Sequence, residues 1–252
     1  MRGFGLAFFI VFLLVGCSKS QELKVEQQEY YKKSSLPCSD HRCTEVSISI
    51  PFVVEPKGKI ADSINGTLFS KVAEIISFEE LPSLDNGYNS IADSFVKSYD
   101  DVKRDFPQEG APWEANVKGK VIMQKTNLFS IELDHYVFSG GAHGYRGIQV
   151  YHFDPRTGKQ YSIDDLLVDK VGFSKLVEKR LREKWDIAAG VPINSTGLMF
   201  ENDVFALPLN IFIYPDKVVA YYNVYEIASY ADGPTEIVFT NDEVQPFMTV
   251  FE

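Results

Sequence analysis

The stretch from residue 129 to residue 167, FSIELDHYVFSGGAHGYRGIQVYHFDPRTGKQYSIDDLL, decides the fold. Apolar and polar residues alternate on both sides of a glycine-rich run, residues 139–144, which is typical of two strands joined by a turn. Residues 154–159 predict a second turn, because Pro155 presets φ and Gly158 can adopt a positive φ. Ser162, with Asp165 three residues later, resembles a capping box and predicts a short helix.

The rest of the chain separates into runs of helix and runs of strand. Helical spacing of apolar residues predicts helices near residues 60–76, 91–106 and 173–185. Alternation predicts strands near residues 46–52, 113–121, 210–214, 217–222 and 236–240. Because the two kinds of element are segregated, we expect an α+β fold with a largely antiparallel sheet packed with helices, in two intimately associated halves.

Three sequence runs carry a family resemblance: SGGAHG at residues 139–144, YHFDPRTGKQYSIDDLL at 151–167 and YNVYEIASYADGP at 222–234. Together they resemble the extracytoplasmic domain pair of RsiV-type anti-sigma factors, whose outer domain senses lysozyme. The same pair precedes the catalytic unit of a peptidoglycan deacetylase. The resemblance covers residues 46–247 and implies an N-terminal half at 45–140 and a C-terminal half at 141–252. It identifies a domain and no activity.

The N-terminus predicts an extracytoplasmic location. Residues 1–16 resemble a lipoprotein signal peptide, with Arg2 ahead of an apolar run too short to span a bilayer. The run Leu14 to Cys17 matches a bacterial lipobox, and the resemblance implies lipidation of Cys17 and anchoring to a bacterial membrane. An ordinary secretory signal with an incidental cysteine is the alternative. Ser18 favours the outer membrane if enteric sorting rules apply. The rest of residues 17–44 is predicted to be a polar tether.

Two further cysteines, Cys38 and Cys43, lie beyond the lipobox. In an oxidising envelope they most simply form a disulfide that closes a small loop. The alternative is a metal site that adds Asp40 and His41, but the spacing matches no common zinc pattern. We expect no cofactor.

The histidines of the central hairpin are the first candidates for catalysis. If the hairpin folds about residues 141–142, His135 and His152 share a face but lie more than about 10 Å apart, too far for one metal ion. His143 lies in the turn, where it is expected to hydrogen-bond its own glycine run. No nucleophile–base pair or metal set follows from this pattern, so we predict that the protein is not an enzyme.

Tyrosines crowd the segment after residue 213. Tyrosine is common at interfaces because it offers rigid, amphipathic contact area, although filling of a sheet core explains the pattern equally well. One of Tyr221 and Tyr222 is expected to face out of the sheet. The candidate binding residues are therefore His143, Tyr221, Tyr222 and Tyr225.

The formal net charge of -10 argues against nucleic-acid binding and is compatible with a basic protein partner. The leading hypothesis is a non-catalytic envelope lipoprotein that binds or senses lysozyme-like hydrolases or peptidoglycan. The alternatives are a metal-dependent hydrolase or deacetylase of the cell wall, using His135, His143 or His152, and a passive structural lipoprotein. The pattern predicts no oligomeric state.

Overall fold

The structure is a computed structural model that describes residues 22–38, 42–77, 87–107 and 110–251. Its strands are β1 (Lys24–Lys33), β2 (Glu45–Glu55), β3 (Glu114–Gln124), β4 (Phe129–Phe138), β5 (Tyr145–Phe153), β6 (Asn210–Ile213), β7 (Lys217–Tyr222) and β8 (Thr235–Thr240). Its α-helices are α1 (Lys59–Ile76), α2 (Gly87–Asp105), α3 (Ile163–Leu166), α4 (Lys170–Lys184) and α5 (Asn241–Val244).

The strands form two sheets, in the orders β1-β2-β3-β4-β5 and β6-β7-β8. Every neighbouring pair is antiparallel except β2 and β3. The predicted α+β class with a largely antiparallel sheet is therefore confirmed. No helix in the described part of the chain is long and apolar enough to cross a membrane.

The described elements stack in four layers. Helices α1 and α2 cover one face of the five-stranded sheet, and their apolar sides bury strand residues such as Ile48 and Ile131. The other face of that sheet packs on the three-stranded sheet through a small cluster that includes Val150 and Tyr221. Helix α4 covers the outer face of the three-stranded sheet. Both faces of the small sheet are thus buried.

The central hairpin forms as predicted, but its register differs by one residue. His135 lies opposite Gly147, and Ser130 lies opposite His152. His135 is therefore five positions from the residue that pairs with His152, and alternation places the two histidines on opposite faces of the sheet. The prediction that they share a face is wrong, because a six-residue turn can close at more than one position.

The tether prediction is wrong for β1. These ten residues pair with β2 as the edge strand of the large sheet, although most of their side chains are exposed. An edge strand is held by backbone hydrogen bonds on one side, so it needs little apolar pattern of its own. Residues 17–21, which include Cys17, lie outside the described residues.

The predicted boundary between residues 140 and 141 cuts the β4–β5 hairpin, whose two strands belong to one sheet. The chain leaves this sheet only after Phe153. The turn that follows packs on α1, where Ser63 Oγ donates to the carbonyl of Gly158 at 2.8 Å. The capping box of Ser162 and Asp165 is confirmed and begins α3.

Candidate functional site

Three exposed aromatic side chains from distant segments meet at one end of the two sheets. We call His143, Tyr225 and Tyr230 the ring cluster. The rings of His143 and Tyr230 stack with centroids 4.5 Å apart, and those of Tyr225 and Tyr230 lie 5.5 Å apart. Tyr225 is 52% exposed and Tyr230 is 38% exposed. The first and last of the three resembling runs are therefore in contact.

The glycine turn between β4 and β5 positions His143. Gly140 and Gly141 have φ values of 107° and 84°, which side chains disfavour. His143 Nδ1 donates to the carbonyl of Gly144 at 2.9 Å, as predicted. A carbonyl only accepts, so Nε2 of the neutral ring is an acceptor, and the Tyr225 hydroxyl lies 3.5 Å from it.

Tyr225 sits in a left-handed backbone conformation, with φ of 66°. A carboxylate holds the turn in place. Glu226 accepts from the backbone N–H groups of Leu209 and Asn223, at 2.8 and 2.9 Å. Burial raises the pKa of Glu226, and these two hydrogen bonds oppose that rise. The turn is therefore fixed by hydrogen bonds to Glu226, while the tyrosine ring itself stays in solvent.

Side-chain amides attach the same turn and strand β6 to the edge of β5. Asn223 accepts from the N–H of Ile148 at 2.8 Å and donates to its carbonyl at 2.9 Å. Asn210 accepts from the N–H of Val150 at 3.0 Å. These amides occupy hydrogen-bonding groups that an exposed edge would otherwise present to another strand. They also fix the ring cluster relative to the large sheet.

Tyr230 is held by a second local device. Ser229 and Asp232 form a capping box around the turn that carries it, with Ser229 Oγ donating to Asp232 at 2.6 Å. The spacing of serine and aspartate in SYAD is a sequence signal for this turn. Tyr230 was not among the predicted binding residues, and neither were Asn223 and Glu226.

Three cavities open around the ring cluster. One of about 630 Å³ follows the outer edge of β5 and is lined by Tyr145 and Tyr225. A second of about 560 Å³ is lined by His143, Tyr230 and Cys43. A third of about 640 Å³ lies between α1 and the β4–β5 hairpin and is also lined by His143 and Tyr145. Each volume falls within the range of about 300–1,000 Å³ typical of small-molecule sites.

Tyr221 and Tyr222 lie elsewhere, and the prediction that one of them faces solvent is wrong. They are 7% and 1% exposed. Tyr221 is packed between the two sheets beside Phe212, and burial raises its pKa to about 12. Tyr222 points into the core beneath α4, where its hydroxyl donates to the carbonyl of Ala206 at 2.8 Å.

The histidines do not form a metal site in the described structure. His152 Nε2 donates to the carbonyl of Ile211 at 2.8 Å, and Ser130 Oγ lies 2.7 Å from its Nδ1, so both ring nitrogens are used within the protein. Burial lowers the pKa of His152 to about 4. His135 and His143 lie apart from His152, along the cavity between α1 and the β4–β5 hairpin. Among the described residues, no three His, Cys, Asp or Glu side chains could hold a metal ion.

The Cys38–Cys43 disulfide is present and confirms that prediction. Asp40 and His41, the ligands of the alternative metal hypothesis, lie outside the described residues. Cys43 borders the cavity that also contains His143 and Tyr230. Cys43 therefore lies near the ring cluster.

Comparison with known proteins agrees with the resemblance in the sequence. A family model described as deacetylase PdaC matches residues 38–146, and one described as a protein of unknown function, DUF3298, matches residues 164–242. No curated protein matches the chain.

Two crystal structures of DUF3298 family proteins share the fold. The one from Bacteroides fragilis NCTC 9343 has a TM-score of 0.66 and 18% identity, over 90% of this chain and 93% of its own. The one from Pseudomonas aeruginosa PAO1 has a TM-score of 0.62 and 19% identity, over 91% and 96%. The chain therefore contains a region that matches the PdaC domain model, followed by a region that matches the DUF3298 model, which is the domain pairing that the sequence runs resemble.

Proposed function

We propose that the protein is a non-catalytic binding module of the bacterial cell envelope, with the ring cluster as its binding surface and cell-wall glycan as its ligand. One observation carries the proposal. Tyr225 is an exposed side chain on a left-handed backbone, and hydrogen bonds to the neighbouring Glu226 carboxylate hold the turn there. Backbone strain of about 1–3 kcal/mol persists where the surrounding structure enforces it, and such positions concentrate at functional sites.

The chemistry of the surface fits a glycan. Tyrosine rings supply flat apolar faces and polar edges, which suit the alternating apolar and hydroxylated surfaces of sugars. The backbone turns that carry the two tyrosines are held by the Glu226 carboxylate and by the Ser229–Asp232 capping box, so little backbone entropy is lost when a ligand binds. Location in the envelope rests on the lipobox and on the family resemblance, and we propose a lipid anchor at Cys17. A Cys17→Ser protein should then lose membrane retention.

A basic lysozyme is the second candidate ligand, and the net charge of -10 favours it. Opposite charge accelerates encounter, and added salt screens it. Surface plasmon resonance with lysozyme at two salt concentrations tests this candidate. The association rate should fall as the salt concentration rises. No binding of lysozyme at tens of micromolar in low salt would leave the glycan as the ligand.

The direct experiment is co-sedimentation with purified peptidoglycan sacculi. Wild type should be retained, and the Tyr225→Ala/Tyr230→Ala protein should be retained at least tenfold less. Tyr31→Ala is the matched control, because Tyr31 is 61% exposed on β1, the opposite edge strand of the large sheet from β5. Equal retention of the double variant and wild type would refute the ring cluster as the glycan-binding surface.

A further inference from the structure

The cavity between α1 and the β4–β5 hairpin contains a buried polar group without a partner. His135 lines this cavity and is 4% exposed. Its Nδ1 has no hydrogen-bond partner among the described residues. Native proteins satisfy most buried polar atoms, so an unpaired nitrogen on a ring that lines a cavity calls for an explanation.

The sheet is built to accommodate this imidazole. Gly147 lies directly opposite on β5, and a Cβ there would come within 2.8 Å of His135 Cε1. A larger residue at position 147 would therefore displace the ring. Leu133, two residues earlier on the same face of β4, is fully buried and apolar. The chain thus places a polar ring, and leaves space for it, directly beside an apolar core position.

The rest of the cavity offers hydrogen-bonding groups and one exposed ring. The Tyr151 hydroxyl donates to the Gln149 side-chain carbonyl, and the amide NH₂ group of Gln149 is a further donor in the residue that lines the cavity. Tyr145 is 42% exposed, and its ring centroid lies 5.8 Å from that of His135. Donors, acceptors and a ring face thus surround one space of about 640 Å³.

The charges around the cavity cancel. Lys71 and Glu74 on the α1 rim form an ion pair at 2.8 Å. Burial lowers the pKa of His135, which keeps the ring neutral at pH 7. A charged ligand would meet no uncompensated opposite charge from these residues, whereas an uncharged ligand with many hydroxyl or amide groups would find partners.

We infer that this cavity, which we call the His135 groove, binds one unit of a neutral saccharide, with the His135 ring as a hydrogen-bonding partner at its floor. The choice of saccharide rests on the proposed function. The groove adjoins the ring cluster through His143, which lines it. A glycan chain that lies across the ring cluster could therefore place one sugar in the groove.

Isothermal titration calorimetry with triacetylchitotriose, a neutral N-acetylglucosamine trimer, tests the inference. Wild type should bind, and His135→Leu should weaken binding at least tenfold while thermal stability stays the same or rises. A histidine with only a structural role would not separate these two readouts. Ile131→Val is the matched control, because it alters a buried residue on the same strand and face without removing a polar group, and its affinity should equal that of wild type.

Equal affinity of His135→Leu and wild type, or no binding by wild type at millimolar trimer, would overturn the inference. Its failure is distinguishable from failure of the proposed function. Sacculus retention that depends on Tyr225 and Tyr230, without trimer binding, would leave the function intact and refute the groove. Trimer binding that depends on His135, with unaltered sacculus retention of the double tyrosine variant, would support the groove and refute the ring cluster as the glycan-binding surface.

Discussion

Two regions of the molecule contain the same residue types under opposite constraints. In the interior, Tyr221, Tyr222 and His152 are all buried. In the ring cluster, His143 and two tyrosines are exposed and reach one another through ring contacts. We call the first group the interior trio.

This difference separates tyrosine and histidine side chains that stabilise the fold from those that are available to bind a ligand. Within the interior trio, both ring nitrogens of His152 and the hydroxyl of Tyr222 have hydrogen-bond partners inside the protein. In the ring cluster, hydrogen bonds hold the backbone turns and orient the His143 ring, and all three rings remain exposed. Substitutions should therefore affect folding in the first region and binding in the second.

The largest difference is expected for truncation of one tyrosine in each region. Tyr222→Ala removes a side chain that is 1% exposed and should lower the free energy of unfolding by about 3–5 kcal/mol. Tyr225→Ala should change it by less than about 1 kcal/mol, since its ring is half exposed. Urea denaturation of both variants checks this, and similar losses would erase the distinction between the regions.

The next effect is on pH dependence. Burial depresses the pKa of His152 from its ordinary value of 6.5 to about 4, so the unfolded chain binds a proton first as the pH falls. Neutral, buried His152 therefore contributes fully to the free energy of unfolding above pH 6.5. About 3 kcal/mol of that contribution is lost as the pH falls from 6.5 to 4. The stability gap between wild type and His152→Leu should shrink by that amount from pH 7 to pH 4. Chemical denaturation of both proteins at pH 7 and pH 4 measures this difference in the free energy of unfolding. The same difference at both pH values would contradict the prediction.

A pair of turn glycines sharpens the comparison at the backbone level. Both Gly158 and Gly141 have positive φ, but a Cβ on Gly158 would lie 2.7 Å from the carbonyl oxygen of Ile60, whereas one on Gly141 would meet nothing within 4 Å. Gly158→Ala should therefore cost about 1–3 kcal/mol more than Gly141→Ala. Thermal denaturation measures the difference, and equal losses would show that the turn at Gly158 is not packed on α1.

The smallest effect concerns the strained tyrosine. Tyr225→Gly removes the penalty of a side chain in the left-handed region but makes the unfolded chain more flexible. The net result should be unchanged stability or a gain of up to about 1 kcal/mol, together with loss of sacculus retention. A loss of more than about 1 kcal/mol would assign Tyr225 to the interior contacts instead.

The central hairpin and most elements could be predicted because their apolar residues repeat with clear periods. Alternation in residues 129–153 indicated both strands, and the glycine turn indicated their connection. The register was one residue off, since the six-residue turn does not fix its own closing point. β1 was missed because its pairing relies on backbone groups, which leave little pattern in the side chains.

The candidate site could be predicted only in part. His143 and Tyr225 are exposed, as a binding role requires, but 82 positions separate them and no local pattern shows that they meet. Tyr221 and Tyr222 were placed wrongly because alternation reports two faces of a strand and not what covers each face. The large sheet covers one face and α4 the other, and both contacts come from distant parts of the chain.

Tyrosine nitration mapped by peptide mass spectrometry, with and without peptidoglycan sacculi, tests the central claim most directly. In free protein, Tyr225, Tyr230 and the control Tyr31 should react, while Tyr221 and Tyr222 should not. Sacculi should protect Tyr225 and Tyr230 and leave the reaction of Tyr31 unchanged. Equal nitration of Tyr225 and Tyr230 with and without sacculi would contradict the claim that the ring cluster is the surface that binds cell-wall glycan.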